Sequence, residues 1–149
     1  MQLTRAADYG VRAMVHLAGL PAGARAGVAE LAKAAEVSPA FLTKVLQRLT
    51  SSGLLMAHRG PGGGFSLTAP ADEIALLQVV EAIEGPLCLN LCTGPCGTPA
   101  AQCHRQPWCG VHLVWMDAQA KLREVLSGAS VGSLARESAL RREALRGVQ

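Results

Sequence analysis

All five cysteines of this 149-residue chain, Cys88, Cys92, Cys96, Cys103 and Cys109, lie in one short stretch. Ordinary core packing does not cluster them this way, because free cysteine behaves as a small buried hydrophobe that scatters among core positions. The last three run Cys96-x6-Cys103-x5-Cys109 through a segment rich in glycine and proline. Thiolates bind zinc and iron–sulfur centres and are the nucleophiles of thiol redox chemistry. The segment is therefore expected to hold a metal or to sense redox state.

Composition sets the context for that chemistry. The length fits one domain or a small domain with an appendage, large enough for a core without disulfide staples. Half the residues are apolar, which excludes a disordered chain. The start, Met-Gln-Leu-Thr-Arg, has no apolar signal run, and no window approaches 18 consecutive apolar residues. A cytoplasmic protein is expected, where an odd number of cysteines favours thiolate ligands or a reactive thiol over a disulfide framework. Residues 1–70 carry seven Lys/Arg against three Asp/Glu, while residues 71–149 carry seven against eight. The positive surplus sits in the N-terminal half, a weak nucleic-acid signal by itself.

The elements that must position these groups follow from periodicity. Leu3 to Leu20 reads as a helix with Leu3, Ala6, Ala7, Val11, Met14, Val15 and Ala18 on an apolar face, ended by Gly19, Pro21 and Gly23. A short helix is expected from Val28 to Ala35. Ser38-Pro39 is a strong start for a third, since Ser38 can cap free backbone N–H groups and Pro39 fits the first turn. From Pro39 to about Thr50, Leu42, Val45, Leu46 and Leu49 form the buried stripe, leaving Thr43, Lys44, Gln47 and Arg48 for solvent or a partner. Two short helices joined by Ala-Glu-Val-Ser make a helix-turn-helix whose second helix suits a major groove. The bland alternative is a small helical core with a polar outer face.

The next segment favours DNA. Leu54 to Arg59 can form a strand, Gly60-Pro61-Gly62-Gly63-Gly64 a tight loop, and Phe65 to Thr68 the returning strand. This is a wing, whose glycine-rich tip lets backbone approach a ligand closely. Arg59 stands beside the tip for a phosphate or a narrow minor groove. The glycines do not make a nucleotide loop, because the Lys-Ser/Thr ending and following helix are missing. The residues expected at DNA are Ser38, Thr43, Lys44, Gln47, Arg48, Arg59, Gly62 and Gly63, through phosphates or base edges.

A further amphipathic helix is expected from Ile74 to Glu84, stopped by Gly85-Pro86. After Cys109 a long helix, about Val111 to Leu126, repeats apolar residues at Val111, Trp115, Ala118, Leu122 and Val125. This two-heptad seam suits pairing of two copies, with one-sided packing as the alternative. Val131 to Leu145 reads as a short helix and a charged, frayed end.

These residues carry a resemblance to the Rrf-two-type winged helix-turn-helix regulators, over essentially the whole chain. It rests on Leu-Thr-x4-Tyr-Gly-x2-Ala-Met from Leu3 to Met14, Val-Ser-Pro-x-Phe-Leu from Val37 to Leu42, and Arg-Gly-x-Gly-Gly-Gly-Phe from Arg59 to Phe65. Val-Val-Glu-Ala-Ile-Glu-Gly-Pro from Val79 to Pro86, followed by cysteines, completes it. The resemblance implies a mainly α fold with a β-hairpin wing. It implies a winged helix-turn-helix in residues 1–85, a cysteine-rich cluster-binding loop in 86–110, and a dimerisation helix and tail in 111–149. A homodimer reading double-stranded DNA with a dyad-symmetric operator is expected.

The resemblance also suggests the cofactor. Cluster-binding members ligate iron–sulfur with three cysteines per subunit, and the Cys-x2-His-x2-Trp pattern at Cys109, His112 and Trp115 resembles that of the iron–sulfur assembly regulators. Cys103 and Cys96 would be the other thiolates, with Cys92 competing for the role of Cys96. His112 would imply a [2Fe–2S] cluster. Asp8 aligns instead with an aspartate that reaches a [4Fe–4S] cluster across the dimer in nitric-oxide-sensing members. Asp8 could equally pair with Arg12 four residues on, and His112 could be a capping or core-edge residue. His104 is a weaker ligand candidate, Trp108 and Trp115 read as apolar cover, and Cys88 as a plain buried thiol. Cys₃His is also an ordinary zinc set, and a metal-free thiol switch is the remaining alternative. An enzyme is not expected, since no nucleophile elbow, Walker loop or dinucleotide fingerprint is present. A protein that stores or delivers a cluster would lack salt-dependent duplex binding.

Overall fold

A computed structural model describes residues 3–93 and 103–147. Six helices carry the fold: α1 Arg5–Ala18, α2 Val28–Ala35, α3 Pro39–Ser51, α4 Leu76–Glu84, α5 Gly110–Gly128 and α6 Val131–Arg146. Between α3 and α4, strands β1 Leu55–His58 and β2 Gly64–Leu67 pair antiparallel, with Leu55 opposite Leu67 and His58 opposite Gly64.

The helix starts are set by side chains. Thr4 Oγ1 accepts the Ala7 N–H at 3.4 Å to open α1, and Ser38 Oγ accepts the Phe41 N–H at 3.4 Å with Pro39 following. Each cap satisfies a donor that the first helical turn leaves without a partner. The turn between α2 and α3 is closed by Glu36 in a left-handed conformation, with φ of 59°, an uncommon state for a residue with a Cβ.

The core lies where α1, α2, α3, α4 and the wing meet. Met14, Leu31, Leu42, Leu46, Leu49, Leu55, Val79 and Val131 are fully buried there. Side chains of this size each contribute roughly 1.5–3 kcal/mol when removed from water. The crossing of α1 over α3 and α4 is close: a Cβ on Gly10 would stand 2.3 Å from Ile83 Cδ1 and 3.0 Å from Val45 Cγ1.

Two features extend the sequence reading. Ile74 is extended rather than helical, and an antiparallel bridge ties Ala75 to Ser130, with Leu76 N–H donating to the Ala129 carbonyl at 2.8 Å and Val131 N–H to that of Ile74 at 2.9 Å. The helix expected from Val131 is the 16-residue α6, which runs on through the end expected to fray, packs on α1 and buries Val131, Gly132 and Ala135. Among the described residues no helix is long and apolar enough to cross a membrane.

Candidate functional site

The exposed face of α3 carries Lys44, Gln47 and Arg48 because Leu42, Val45, Leu46 and Leu49 occupy the opposite stripe and are buried. Thr43 is half-buried and its hydroxyl donates back to the Pro39 carbonyl at 2.8 Å. Ser38 is engaged as the cap of α3. Arg48 is not wholly free: its Nη1 donates to the Ile83 carbonyl in the last turn of α4 at 2.8 Å. Lys44, Gln47 and Arg48 share a shallow hollow with Ser51, Ser52, Glu81 and Ala82.

The wing follows α3 in the chain. Ala26 adds a third short rung to its sheet, donating to the Phe65 carbonyl at 3.0 Å and accepting the Phe65 N–H at 2.9 Å. Gly64 is needed for that contact. Its φ is 147°, and a Cβ would lie 2.5 Å from the Ala26 carbonyl oxygen and 2.8 Å from its carbon. Arg59 and Gly62 are placed at the tip, Arg59 exposed, and Gly63 is packed against the His58 carbonyl, where a Cβ would come within 2.4 Å. The open face of α3 and the wing thus each carry exposed cationic side chains, the groups that phosphate contacts use.

The cysteine segment is anchored from both sides. On its N-terminal side Glu81 of α4 accepts the Leu87 N–H at 2.9 Å and pairs with Arg123 of α5. Burial pushes the Glu81 carboxyl up, yet the Leu87 N–H and the Arg123 guanidinium outweigh it and hold the group below its ordinary value. Gln119, buried on α5, accepts the Leu89 N–H at 3.0 Å and the Thr93 hydroxyl at 2.7 Å, and donates to the Thr93 carbonyl at 2.9 Å. Sequence periodicity does not point to Gln119. Its partners are backbone groups far away in the chain, and the only hint is a polar residue inside an apolar seam.

On its C-terminal side, Cys103 opens a turn whose carbonyl accepts the Gln106 N–H at 2.9 Å, and Cys109 is the N-cap residue of α5. His112 follows in the first turn, its N–H donating to the Cys109 carbonyl at 3.0 Å. The ring Nε2 meets the Gln106 amide nitrogen at 3.1 Å, while Nδ1 is buried without a hydrogen-bond partner among the described residues. Leaving such an atom unsatisfied costs about 1–3 kcal/mol. Cys92, Cys103 and Cys109 are free thiols, each half-buried. Cys88 is half-buried rather than the fully buried thiol expected. Cys96 lies outside the described residues.

Asp8 is elsewhere, exposed on α1 and paired with Arg12 at 2.9 Å, and Arg12 also reaches Glu36 at 3.3 Å. Among the described residues no three His, Cys, Asp or Glu side chains are gathered closely enough to hold a metal ion. Trp108 is exposed and Trp115 borders on it, so neither is a sealed cover in this chain alone. Along α5, Val111, Val114 and Val125 stand open at 56, 64 and 70% exposure, with half-buried Ala118 and Leu122 completing a stripe spaced 3, 4, 4 and 3. Trp115 is exposed as well, at 38%.

Comparison with known proteins agrees with this architecture. Residues 3–137 match the Rrf2 family model, described as an iron-dependent transcriptional regulator. A Mycobacterium tuberculosis H37Rv protein named as an HTH-type transcriptional regulator, Rv1287, is 33% identical over 135 residues, covering 91% of this chain and 81% of that one. The fold is similar to that of CymR, the global cysteine regulator of B. subtilis, with TM-score 0.72, 21% identity and coverage of 92% of this chain and 98% of that one. It is equally similar to T. potens IscR, with TM-score 0.72, 20% identity and coverage of 93% and 88%. Family and relatives are transcriptional regulators, not enzymes, and regulators of this family bind DNA. With its helix-turn-helix, wing and matched sequence, the chain belongs to the Rrf2 family of transcriptional regulators.

Proposed function

We propose that the chain works as a homodimer that binds a dyad-symmetric operator and senses iron–sulfur status, redox state or nitric oxide through a cysteine-ligated iron–sulfur cluster. The observation that carries the cluster reading is the donor set at the start of α5: Cys103, Cys109 and His112 within ten residues, with His112 Nδ1 buried and unpartnered among the described residues. Thiolates with one imidazole suit such a group, and an unsatisfied buried ring nitrogen is what a metal would satisfy. Cys96, by its spacing, would supply the third thiolate. When bound, the cluster supplies an anionic, oxidisable anchor that fixes the segment between residues 96 and 112.

The chain's own residues do the rest. Lys44, Gln47, Arg48 and Arg59 meet phosphates and base edges, and Ser38 and Thr43 with the Gly62–Gly63 backbone complete the contact surface. The α5 stripe of Val111, Val114, Ala118, Leu122 and Val125 pairs with that of a second copy, setting the spacing of two recognition helices. Asp8 is the alternative fourth ligand to His112, and taking that role would require breaking its pair with Arg12. The half-buried free thiols serve a second reading equally well, a winged-helix regulator with a zinc site or a metal-free thiol switch.

The test is purification without oxygen, followed by iron, acid-labile sulfide and zinc per subunit and a visible absorption spectrum. Iron and sulfide in matching amounts are expected, and the spectrum distinguishes the His112 from the Asp8 arrangement. Zinc alone, or no metal, would overturn the cluster and leave the second reading.

A further inference from the structure

Three residues in the last turn of α4, Glu81, Ile83 and Glu84, hold contacts to α1, α3, α5 and the start of the cysteine segment. Glu84 accepts the Thr4 N–H at 2.7 Å, holding the start of α1. The Ile83 carbonyl accepts Arg48 Nη1 of α3 at 2.8 Å, and the Ile83 side chain fills the space over Gly10 of α1. Glu81 accepts the Leu87 N–H at 2.9 Å, the first anchor of the cysteine segment, and pairs with Arg123 of α5. Gly85, with φ of 84°, then ends the helix.

The other end of the connection is equally defined. Gln119 clamps Leu89 and Thr93 onto α5, so the backbone on either side of Cys92 cannot shift without α5. The contacts that α5 makes with the rest of the fold run chiefly through α4 and the turn at Leu91–Thr93. Arg48, for its part, satisfies a carbonyl that the end of a helix leaves without an intrahelical partner. One guanidinium has five donors, so Arg48 can keep that tether while reaching a phosphate.

We propose that the last turn of α4 is the positioning link between the cysteine segment and the recognition helix, with Glu81 holding the segment and α5, and the Ile83 carbonyl holding Arg48. The link rests on the regulatory reading above and names the residues through which it acts. A change in the cysteine segment loads the Leu87 and Arg123 contacts of Glu81, displaces the α4 terminus, and moves the Arg48 end of α3 relative to the wing. Glu81 and Arg123 are positioning residues.

All cysteines lie between Cys88 and Cys109, so N-ethylmaleimide marks this segment alone among thiols. The full chain, as wild type, Glu81→Gln and Arg123→Met, is compared in reduced and alkylated form. The readout is affinity, by fluorescence anisotropy, for a duplex that the wild type selects from a random pool. The quantity that decides is the affinity ratio of the two forms, which a merely structural role would leave intact. Wild type is expected to change at least about 5-fold on alkylation and both variants less than about 2-fold. Glu81→Gln keeps shape and the Leu87 acceptor, while Arg123→Met acts from α5, so a folding failure in one leaves the other to decide. A full wild-type response in the variants overturns the link and leaves the regulatory reading standing. No response in the wild type overturns both.

Discussion

At the scale of single residues, two cations on α3 that look alike in sequence do different work. Lys44 is exposed with no tether, whereas Arg48 also holds the Ile83 carbonyl. Lys44→Ala is expected to weaken duplex binding and lower the salt slope by about one, with stability changed by less than about 0.5 kcal/mol. Arg48→Ala is expected to weaken binding and also destabilise the fold by about 1–2 kcal/mol, since hydrogen bonds to charged groups are worth more than neutral ones. Urea unfolding beside anisotropy titrations at several salt concentrations separates the two; equal stability losses would contradict the assignment. Gly64 is a second residue with a specific demand, because a Cβ there meets the Ala26 backbone at 2.5 Å. Gly64→Ala is expected to destabilise by about 1–3 kcal/mol and to loosen the wing, read as faster hydrogen exchange at Ala26 and Phe65 than in a Gly128→Ala control, whose Cβ meets nothing.

At the scale of elements, α4 and α5 are joined by a charge pair with a definite pH signature. Glu81 is held below its ordinary value, so the unfolded chain takes up that proton first as pH falls. The tie contributes its full stability above the ordinary glutamate range, roughly pH 4–5, and loses it as pH drops through the depressed value. Urea midpoints from pH 7 to 3 should fall less steeply in Glu81→Gln than in wild type; parallel curves would show that the pair carries nothing. The open stripe on α5 makes the other prediction at this scale: Val114→Glu or Val125→Glu should reduce the solution mass by light scattering to that of one 15.5 kDa chain, while an unchanged dimer would place the interface elsewhere. The helices, the cap at Ser38 and the wing were legible because each follows from local pattern and punctuation. The packing of α6 on α1 was not, since it uses Val131, Gly132 and Ala135, small residues that leave little periodic signal, and depends on a backbone bridge to Ala75. The apolar run of α5 was legible from its spacing, and Val111, Trp115 and Val125 on it are exposed. Gln119 was not legible at all, as its value lies in backbone partners 26 and 30 positions away.

At the scale of the whole molecule, contacts to α3, to α5 and to Leu87 at the start of the cysteine segment meet at the end of α4. Family membership fixes transcriptional regulation, and in the function proposed the signal enters at the cysteines. The central claim is that this segment controls DNA binding. It is tested most directly by Cys103→Ala in the anaerobically prepared full chain, measuring cofactor content and operator affinity together. The account predicts loss of iron and sulfide and a change in affinity of at least about 5-fold. Unchanged cofactor content together with unchanged operator affinity would contradict it.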